Sequence, residues 1–353
     1  MGSIARDSPG MYARKEIPEI NKTLWITKEC LPAILKPGMK RGGISGMETK
    51  LINGETWYDT DGNILHAHGG HMLKWEDYWY WYGENRTDNR YVSVYKSGDL
   101  INWTFCRHAL TADSPTAEHR VRTDRKLRSE SGGKINVERP KVLYNKKTNQ
   151  FVMWMHIENG VDYLDAACGI AVCDRPDGEF TYLGCFNPFG YMSRDCTLFQ
   201  DKDGTAYFIS ASRDNADLHM YRLTEDYLNV DCLVHKLWQG EYREAPAVME
   251  REGKYYMFSS YCTGWAPNQC RYAMADSMEG RWSSLTDIGD ETTFRTQPAF
   301  ILPLEKEGKK EYYYVADRWN GEDYHDSRYV ILPLGFTPEG LPVMEYTECF
   351  GPV

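Results

Sequence analysis

Five polar residues stand at matching positions, each just ahead of an apolar segment, about 50 to 70 residues apart along the chain. A carboxylate at the mouth of a buried strand is costly unless something uses it. Two carboxylates set apart across a pocket could hydrolyse a glycosidic bond, because one can protonate the leaving oxygen while the other handles water or carbon. The five residues are His68, Glu138, Asp195, Glu244 and Gln297.

The elements that must position these residues are aromatic-rich hairpins, each made of two apolar runs around a polar turn. Five copies occur: "HMLKWEDYWYWYGEN", "KVLYNKKTNQFVMWMHIEN", "TLFQDKDGTAYFISAS", "AVMEREGKYYMFSSY" and "AFILPLEKEGKKEYYYVADRW". A second hairpin follows four of them, and the tail "SRYVILPLGFTPEGLPVMEY" is a looser fifth copy. Four strands per repeat and almost no helical periodicity predict an all-β fold, a five-bladed β-propeller with four antiparallel strands per blade. Two sandwich domains are the alternative.

In a propeller the first strand of each blade lines the central axis, so the five leading residues should converge on one mouth of the channel. A proline follows shortly after three of them, at Pro140, Pro246 and Pro298. The second strand of each hairpin ends at the same mouth and should add a second layer of polar groups. This layer comprises Glu84, His156, Glu158, Thr263, Trp265, Asn268, Asp317 and Arg318. Carboxylates and amides backed by arginine and aromatic rings suit a neutral sugar.

Composition limits the partners that the protein can have. The 353 residues carry 41 basic and 51 acidic side chains, a net charge of -10, which argues against nucleic acid or an anionic membrane as the main partner. No segment approaches the roughly 20 apolar residues of a membrane span, and "MGSIARDSPG" lacks the apolar core of a secretory signal. We therefore expect a cytoplasmic protein with a neutral ligand, and the polar groups of the site favour an oligosaccharide or polysaccharide.

The chemistry requires no cofactor and no metal ligands are assigned, while a structural ion in the channel is left open. The ten cysteines are scattered without a C-x-x-C motif, which favours reduced core thiols over zinc sites or disulfides. His66, His68 and His71 lack a matching Cys or Asp and are interpreted as hydrogen-bonding residues.

Residues 1–45 carry proline and glycine but no repeat, so the propeller is assigned to residues 46–353. The N-terminal segment is interpreted as an arm across the surface, or between subunits of a homo-oligomer, or alternatively as a leader.

Several of these segments together resemble glycoside hydrolase family 43, within it the branch of exo-β-1,3-galactanases and close neighbours. They are "HAHGGHMLKWEDYWYWYGEN", "VERPKVLYN", "FVMWMHIE", "MSRDCTLFQDKDGTAYFISAS", "REAPAV", "CTGWAPNQ" and "DSRYVILPL". The resemblance runs from about Trp57 to Leu334. It implies a five-bladed propeller that inverts the anomeric centre.

The resemblance also implies roles for individual residues. Glu244 of "REAP" matches the general acid, and Glu138 of "VERP" the second catalytic carboxylate. Gln297 of "RTQPAF" matches a glutamine proposed to stand in for the base. The residues similar to those that hold the terminal galactose are Glu84, Tyr163 and Asp195.

The chain departs from the wider family at the first blade, where "HAHGG" replaces the usual aspartate base. Glu138 could activate water directly, or Gln297 could do so as its imidic acid tautomer, and analogy with the branch favours Gln297. "HGGH" in place of the branch's "HGGG" also puts His71 near the pocket.

Three functions follow as hypotheses. The first is an inverting exo-acting hydrolase that releases terminal galactose from β-1,3-linked galactan or its oligosaccharides. It requires a raised pKa at Glu244, which burial and the charge of Glu138 would promote. The second is an α-L-arabinofuranosidase or β-galactofuranosidase of the same family, and the third is a carbohydrate-binding propeller without catalysis.

Overall fold

The computed structural model describes residues 49–119 and 127–351. The predicted N-terminal arm, and the oligomer contact expected from it, lie outside the described residues. Twenty strands form five antiparallel sheets of four, and within each sheet the strands neighbour one another in chain order. The predicted all-β, five-bladed propeller is therefore confirmed.

The strands of the first three blades have these bounds. Blade one contains β2 (His68–Trp75), β3 (Tyr78–Glu84), β4 (Arg90–Ser97) and β5 (Thr104–Thr111). Blade two contains β6 (Asn136–Asn145), β7 (Gln150–Glu158), β8 (Ala167–Cys173) and β9 (Thr181–Phe186). Blade three contains β10 (Cys196–Gln200), β11 (Ala206–Ser212), β12 (Asp217–Leu223) and β13 (Val230–Leu237).

The remaining elements complete the ring. Blade four contains β14 (Arg243–Arg251), β15 (Lys254–Tyr261), β16 (Arg271–Ala275) and β17 (Thr286–Asp287). Blade five contains β18 (Gln297–Lys306), β19 (Lys309–Arg318), β20 (Arg328–Phe336) and β21 (Pro342–Met344). A short pair, β1 (Leu51–Ile52) with β22 (Cys349–Phe350), joins the two ends of the described chain, and two 3-10 turns span Pro188–Gly190 and Tyr324–Asp326.

The apolar pattern of the hairpins is explained by how the blades pack. The first strands β2, β6, β10, β14 and β18 contact one another in turn, and β18 meets β2 to close the ring. Five clusters of buried apolar side chains lie between neighbouring blades, one at each junction. Trp154 of blade two, for example, lies 4.6 Å from Phe208 of blade three, measured between ring centroids. Each sheet is thus buried on both faces, which is why its strands are apolar on both faces.

Three of the five first strands contain the same irregularity. Their pairing shifts register directly after the leading polar residue, at His68, Glu138 and Glu244. The next residue has a positive φ in each case, 55° at Gly69, 53° at Arg139 and 51° at Ala245. Such bulges bend a strand and redirect side chains, and a left-handed conformation costs a non-glycine residue about 1 kcal/mol. The fold therefore holds strain where the candidate site begins.

Of the nine described cysteines, Cys168, Cys185, Cys196 and Cys270 are buried and the other five are partly buried. Among the described residues, no helix has both the length and the apolar character needed to cross a membrane.

Candidate active site

The leading residues lie at one end of the five first strands. His68 and Gln297 begin β2 and β18, Asp195 directly precedes β10, and Glu138 and Glu244 follow the starts of β6 and β14 by one or two residues. Arg139 connects Gln297 and Asp195, and Gln297 bonds to Glu244. Glu138 joins this network through Arg86, which also pairs with Glu84, itself bonded to the backbone of Arg139. The structure therefore brings the two predicted catalytic carboxylates to a common site.

Glu244 lies in an environment that favours its protonated form. Only 8% of the residue is exposed. Gln297 Nε2 donates to its Oε1 at 2.8 Å, and Asn215 Nδ2 donates to its Oε2 at 3.1 Å. The bond from Gln297 acts to lower the pKa of Glu244, but burial, followed by the negative charge of Asp195, outweighs it and raises that pKa to about 7. The raised pKa agrees with our expectation, but the like charge comes from Asp195 where we had expected Glu138.

Glu138 lies in the opposite kind of environment. Tyr163 and Arg86 both donate to its Oε1, at 2.6 and 2.9 Å, and His156 Nδ1 lies 3.3 Å from its Oε2. Burial alone would raise the pKa of Glu138, but His156 and the charge of Arg86 outweigh it and hold that pKa well below its usual range. Glu138 is therefore a carboxylate at neutral pH.

His156 carries the matching positive charge. Its Nε2 lies 2.8 Å from Oε1 of Glu158. Burial acts to lower the pKa of His156, yet the carboxylates of Glu138 and Glu158 raise it to about 9. The predicted second-layer residues His156 and Glu158 thus keep Glu138 ionised.

Gln297 has all of its hydrogen-bonding capacity engaged. Its Oε1 accepts from Arg139 and from Trp319 Nε1, the latter at 2.7 Å. Its Nε2 donates to Glu244 and, at 2.9 Å, to Oγ of Ser260. Because two N–H groups point at the oxygen, these contacts stabilise the amide over the imidic acid tautomer, which would place an O–H against them.

Arg139, the bulge residue of β6, joins four blades. Its Nη2 lies 3.0 Å from Oδ2 of Asp195, and its Nη1 donates to the carbonyl of Pro298 at 2.9 Å. Its backbone N–H donates to Oε1 of Glu84 at 3.0 Å. Burial opposes the charge of Arg139, but the surrounding carboxylates, Asp195 first, raise its pKa above the ordinary value. The predicted galactose ligands Glu84 and Asp195 therefore both contact Arg139, Glu84 through its backbone N–H and Asp195 through its guanidinium group.

An aromatic wall stands beside this network. Trp319 and Tyr324 stack with ring centroids 5.7 Å apart, and Trp265, 46% exposed, meets Trp319 edge-on at 5.7 Å. Tyr324 also donates to Oε2 of Glu84 at 2.9 Å. A cleft is lined by Trp265, Trp319 and Gln297 among others. The wall supplies the apolar face on which a sugar ring can stack.

His68 and Asp317, both predicted to bind substrate, are almost completely buried and contact each other. His68 Nδ1 lies 2.9 Å from Oδ1 of Asp317, and Asp317 Oδ2 accepts from the backbone of Gly69. The His68 ring stacks on Tyr329 with centroids 4.4 Å apart. The pair of His68 and Asp317 therefore stabilises the bulge of blade one. His71, further along β2, packs against Phe300 with ring centroids 5.3 Å apart.

Three other predicted ligands also make contacts within the protein. Asn268 Nδ2 donates to Oγ1 of Thr263 at 2.7 Å, which closes the loop that carries Trp265. Arg318 Nη2 donates to the carbonyl of Phe294 at 3.0 Å. Their roles toward substrate stay predictions.

Sequence reasoning did not single out several residues that complete the site. Arg86 follows Glu84 by two positions, and Trp319 follows Arg318, so both could have been found by extending the second layer. Tyr324 lies in a 3-10 turn outside the repeat pattern, and no sequence signal marked it. The full set is Arg86, Arg139, Asn215, Ser260, Trp319 and Tyr324.

One group of side chains has the composition of a metal site. Ligand atoms of Glu138, His156 and Asp195 lie within 4.8 Å of one another. Arg86 and Arg139 already pair with the two carboxylates. The charge balance of this group therefore does not call for a cation.

Comparison with known proteins places this geometry in context. Residues 68–298 match the family described as Glycosyl hydrolases family 43. No curated protein gives a significant match. The structure of an exo-β-1,3-galactanase from Clostridium thermocellum is similar at 44% identity and a TM-score of 0.79, covering 86% of this chain and 66% of that one.

Two further structures are similar. A variant of the exo-β-1,3-galactanase from Phanerochaete chrysosporium, solved with β-1,3-galactotriose, shares 33% identity at a TM-score of 0.77, covering 87% of this chain and 69% of that one. A family 43 β-1,3-galactosidase solved with galactodeoxynojirimycin shares 32% identity at a TM-score of 0.74, covering 85% of this chain and all of that one.

Proposed function

This chain belongs to glycosyl hydrolases family 43, as its sequence motifs indicated, and from that premise we propose that it removes the terminal galactose from β-1,3-linked galactan or galacto-oligosaccharides. The observation that carries the proposal is the opposite tuning of two carboxyl groups in one network. Glu244 has a pKa raised to about 7, whereas the pKa of Glu138 is held well below its usual range. Pairs tuned apart in this way divide the acid and base roles.

Glu244 is the general acid in this proposal. Each of its oxygens accepts one hydrogen bond from an amide, and the remaining lone pair of either oxygen can carry the proton that passes to the glycosidic oxygen. Protonating that oxygen makes the departing sugar a neutral alcohol, which lowers the barrier to C–O cleavage.

Glu138 is the base that we propose, because it is ionised across the working pH range. The contacts of Gln297 favour its amide form, so the imidic acid route would require Arg139 and Trp319 to move first. Gln297 then acts through Glu244, whose carboxyl group it orients. This assignment reverses the preference that the family analogy gave.

We also propose an inverting, exo-acting course. Glu138 and Glu244 belong to blades two and four, with Asp195 of blade three between them. A sugar held between carboxylates on separate blades leaves room for a water molecule on the face opposite the leaving group, as inversion requires. The aromatic wall and Glu84 close one side of the site, which suits recognition of a chain end.

The cytoplasm is the location that we propose, with short oligosaccharides as substrates. The sequence supports it, because its ten cysteines are scattered without a C-x-x-C motif and disulfides form mainly in oxidising compartments.

Hydrolysis of a substrate panel tests the proposal. The panel contains β-1,3-galactotriose, β-1,4-galactotriose and aryl glycosides of β-galactopyranose, β-galactofuranose and α-L-arabinofuranose. We expect galactose and galactobiose from the β-1,3 trisaccharide at the highest kcat/KM. Preference for either furanoside would overturn the proposal in favour of the furanosidase alternative, and binding without any product would support a non-catalytic propeller.

A further inference from the structure

Two exposed tyrosines lie beside the candidate acid, at the rim between blades three and four. Tyr242 and Tyr261 are 45% and 44% exposed, and their ring centroids are 6.3 Å apart at an angle of 61°. Among the described residues, no hydrogen bond involves either hydroxyl. The pair is thus an amphipathic surface that nothing in the described fold uses.

The backbone fixes the position of this pair relative to Glu244. Tyr242 precedes Glu244 by two residues, and Tyr261 follows Ser260, the cross-strand partner of Glu244. The carbonyl of Tyr242 accepts from the backbone of Cys262 at 3.0 Å. Both tyrosines are therefore anchored to the two strands that hold the acid.

The same rim includes the turn of blade three that contacts the acid. Tyr242 donates its backbone N–H to the carbonyl of Ala216 at 3.3 Å, next to Asn215, which donates to Glu244. Arg213, Asp214 and Asn215 all have positive φ, so this turn holds a defined and strained shape.

The position of the general acid determines which part of the substrate would contact these rings. A general acid must contact the glycosidic oxygen, so the leaving part of the substrate starts at Glu244 and extends outward from it. A second aromatic group, Trp265 with Trp319 and Tyr324, lies against Gln297 and Glu84, on the side that we assign to the terminal sugar. Tyr163, 41% exposed, donates to Glu138, the base that we propose. The tyrosine pair is instead anchored to the strands that hold the acid, which places it on the side of the leaving chain.

We propose that Tyr242 and Tyr261 form a platform that binds the galactosyl units on the leaving side of the cleaved bond. The platform rests on the proposed function, because it requires a β-1,3-linked galactosyl chain as substrate. Tyrosine suits the task, since its ring packs on the apolar face of a pyranose while its hydroxyl reaches the sugar hydroxyls.

The experiment compares kcat/KM on β-1,3-linked galactobiose, galactotriose and galactotetraose and on an aryl β-galactopyranoside. The variants are Tyr242→Ala, Tyr261→Ala, their double substitution and Tyr242→Phe. Tyr78→Ala is the matched control, because Tyr78 is 44% exposed at the other end of the first-blade hairpin.

We expect each alanine variant to lose roughly three- to tenfold on the tri- and tetrasaccharide and to keep its activity on the aryl glycoside. Tyr242→Phe, which keeps the ring, should lose less, and Tyr78→Ala should match the wild type throughout. Wild-type rates on the longer substrates in both alanine variants would overturn the platform alone. A wild type that cleaves the aryl glycoside but none of the three oligosaccharides would overturn the proposed function and the platform with it.

Discussion

Gln297 donates a hydrogen bond from Nε2 to Oε1 of Glu244 at 2.8 Å, while its own oxygen accepts from Arg139 and Trp319. The orientation of the Gln297 amide is fixed, because two N–H groups point at its oxygen and its Nε2 must therefore face Glu244. The acid is therefore held by a residue of another blade. Its catalytic behaviour and its contribution to stability can be tested separately.

Replacing Glu244 with Gln should reduce kcat on galacto-oligosaccharides by about 10³-fold, in the range expected for removing a general acid. A 2,4-dinitrophenyl β-galactoside should be cleaved much closer to the wild-type rate, because its leaving group needs no proton. The wild type should lose kcat/KM on oligosaccharides above about pH 7, where Glu244 ionises.

Glu250→Gln is the control for this substitution, since Glu250 lies at the far end of the same strand and pairs with Lys202. It should leave both substrates unaffected. Equal losses on the two substrates in Glu244→Gln would remove Glu244 from the acid role.

Glu244→Gln should also change how the stability of the protein depends on pH. The folded-state pKa of Glu244 lies above the ordinary 4.5, so its contribution to stability is complete below pH 4.5 and is lost as pH rises through about 7. Glutamine does not ionise, so the variant does not lose this free energy as the pH rises. Between pH 4.5 and pH 8, the unfolding free energy of the variant should therefore rise by about 3 kcal/mol relative to that of the wild type.

Urea unfolding at several pH values measures this difference. Glu252→Gln, at a surface side chain that is 72% exposed, is the control and should show no such trend. A pH-independent difference between Glu244→Gln and the wild type would show that Glu244 is ionised in the native state.

Glu138→Ala should be inactive and should recover activity with azide. Removing the carboxylate takes one of two anionic partners from Arg86 and from His156, which keep Glu84 and Glu158, and this favours binding of a small anion at the vacated position. We expect α-galactosyl azide as the product, identified by NMR. Rescue of Gln297→Ala with no rescue of Glu138→Ala would assign water activation to Gln297.

Lys141→Met should destabilise the fold, although it removes an ammonium charge whose burial is unfavourable. Lys141 is fully buried, and its Nζ donates to the carbonyls of Gly69 and Gly70 in the first-blade bulge. Burial, followed by the charge of Arg139, lowers the pKa of Lys141 to about 8. Leaving two buried carbonyls unpaired should cost about 2 kcal/mol.

Equilibrium denaturation checks the Lys141 prediction, with Lys254→Met as the control because Lys254 is 53% exposed. Unchanged stability in Lys141→Met would mean that the bulge does not depend on the ammonium group.

The sequence predicted the blades and the ring because both depend on local pattern. Each hairpin needs apolar residues on both faces, and a polar residue at a fixed step before the first strand shows where the axis lies. Glu138 and Glu244 were found in this way. The same reasoning gave Glu244 its raised pKa, since burial in an Ala-Pro-Ala context is also a local property.

Pairing between blades could not be predicted from that pattern. His68 and Asp317 have the composition of sugar ligands, but they lie far apart in sequence, and only the closed ring shows that they satisfy each other. Arg139 was overlooked because its side chain reaches Asp195 and Gln297 through a bulge, and a positive φ at a non-glycine residue leaves no mark in sequence.

Proton NMR of β-1,3-galactotriose during hydrolysis tests the central claim most directly. We predict α-galactose as the first monosaccharide signal, together with galactobiose, and a β-anomer that appears only at the rate of mutarotation. β-Galactose as the first product, or no hydrolysis of the trisaccharide, would contradict the account.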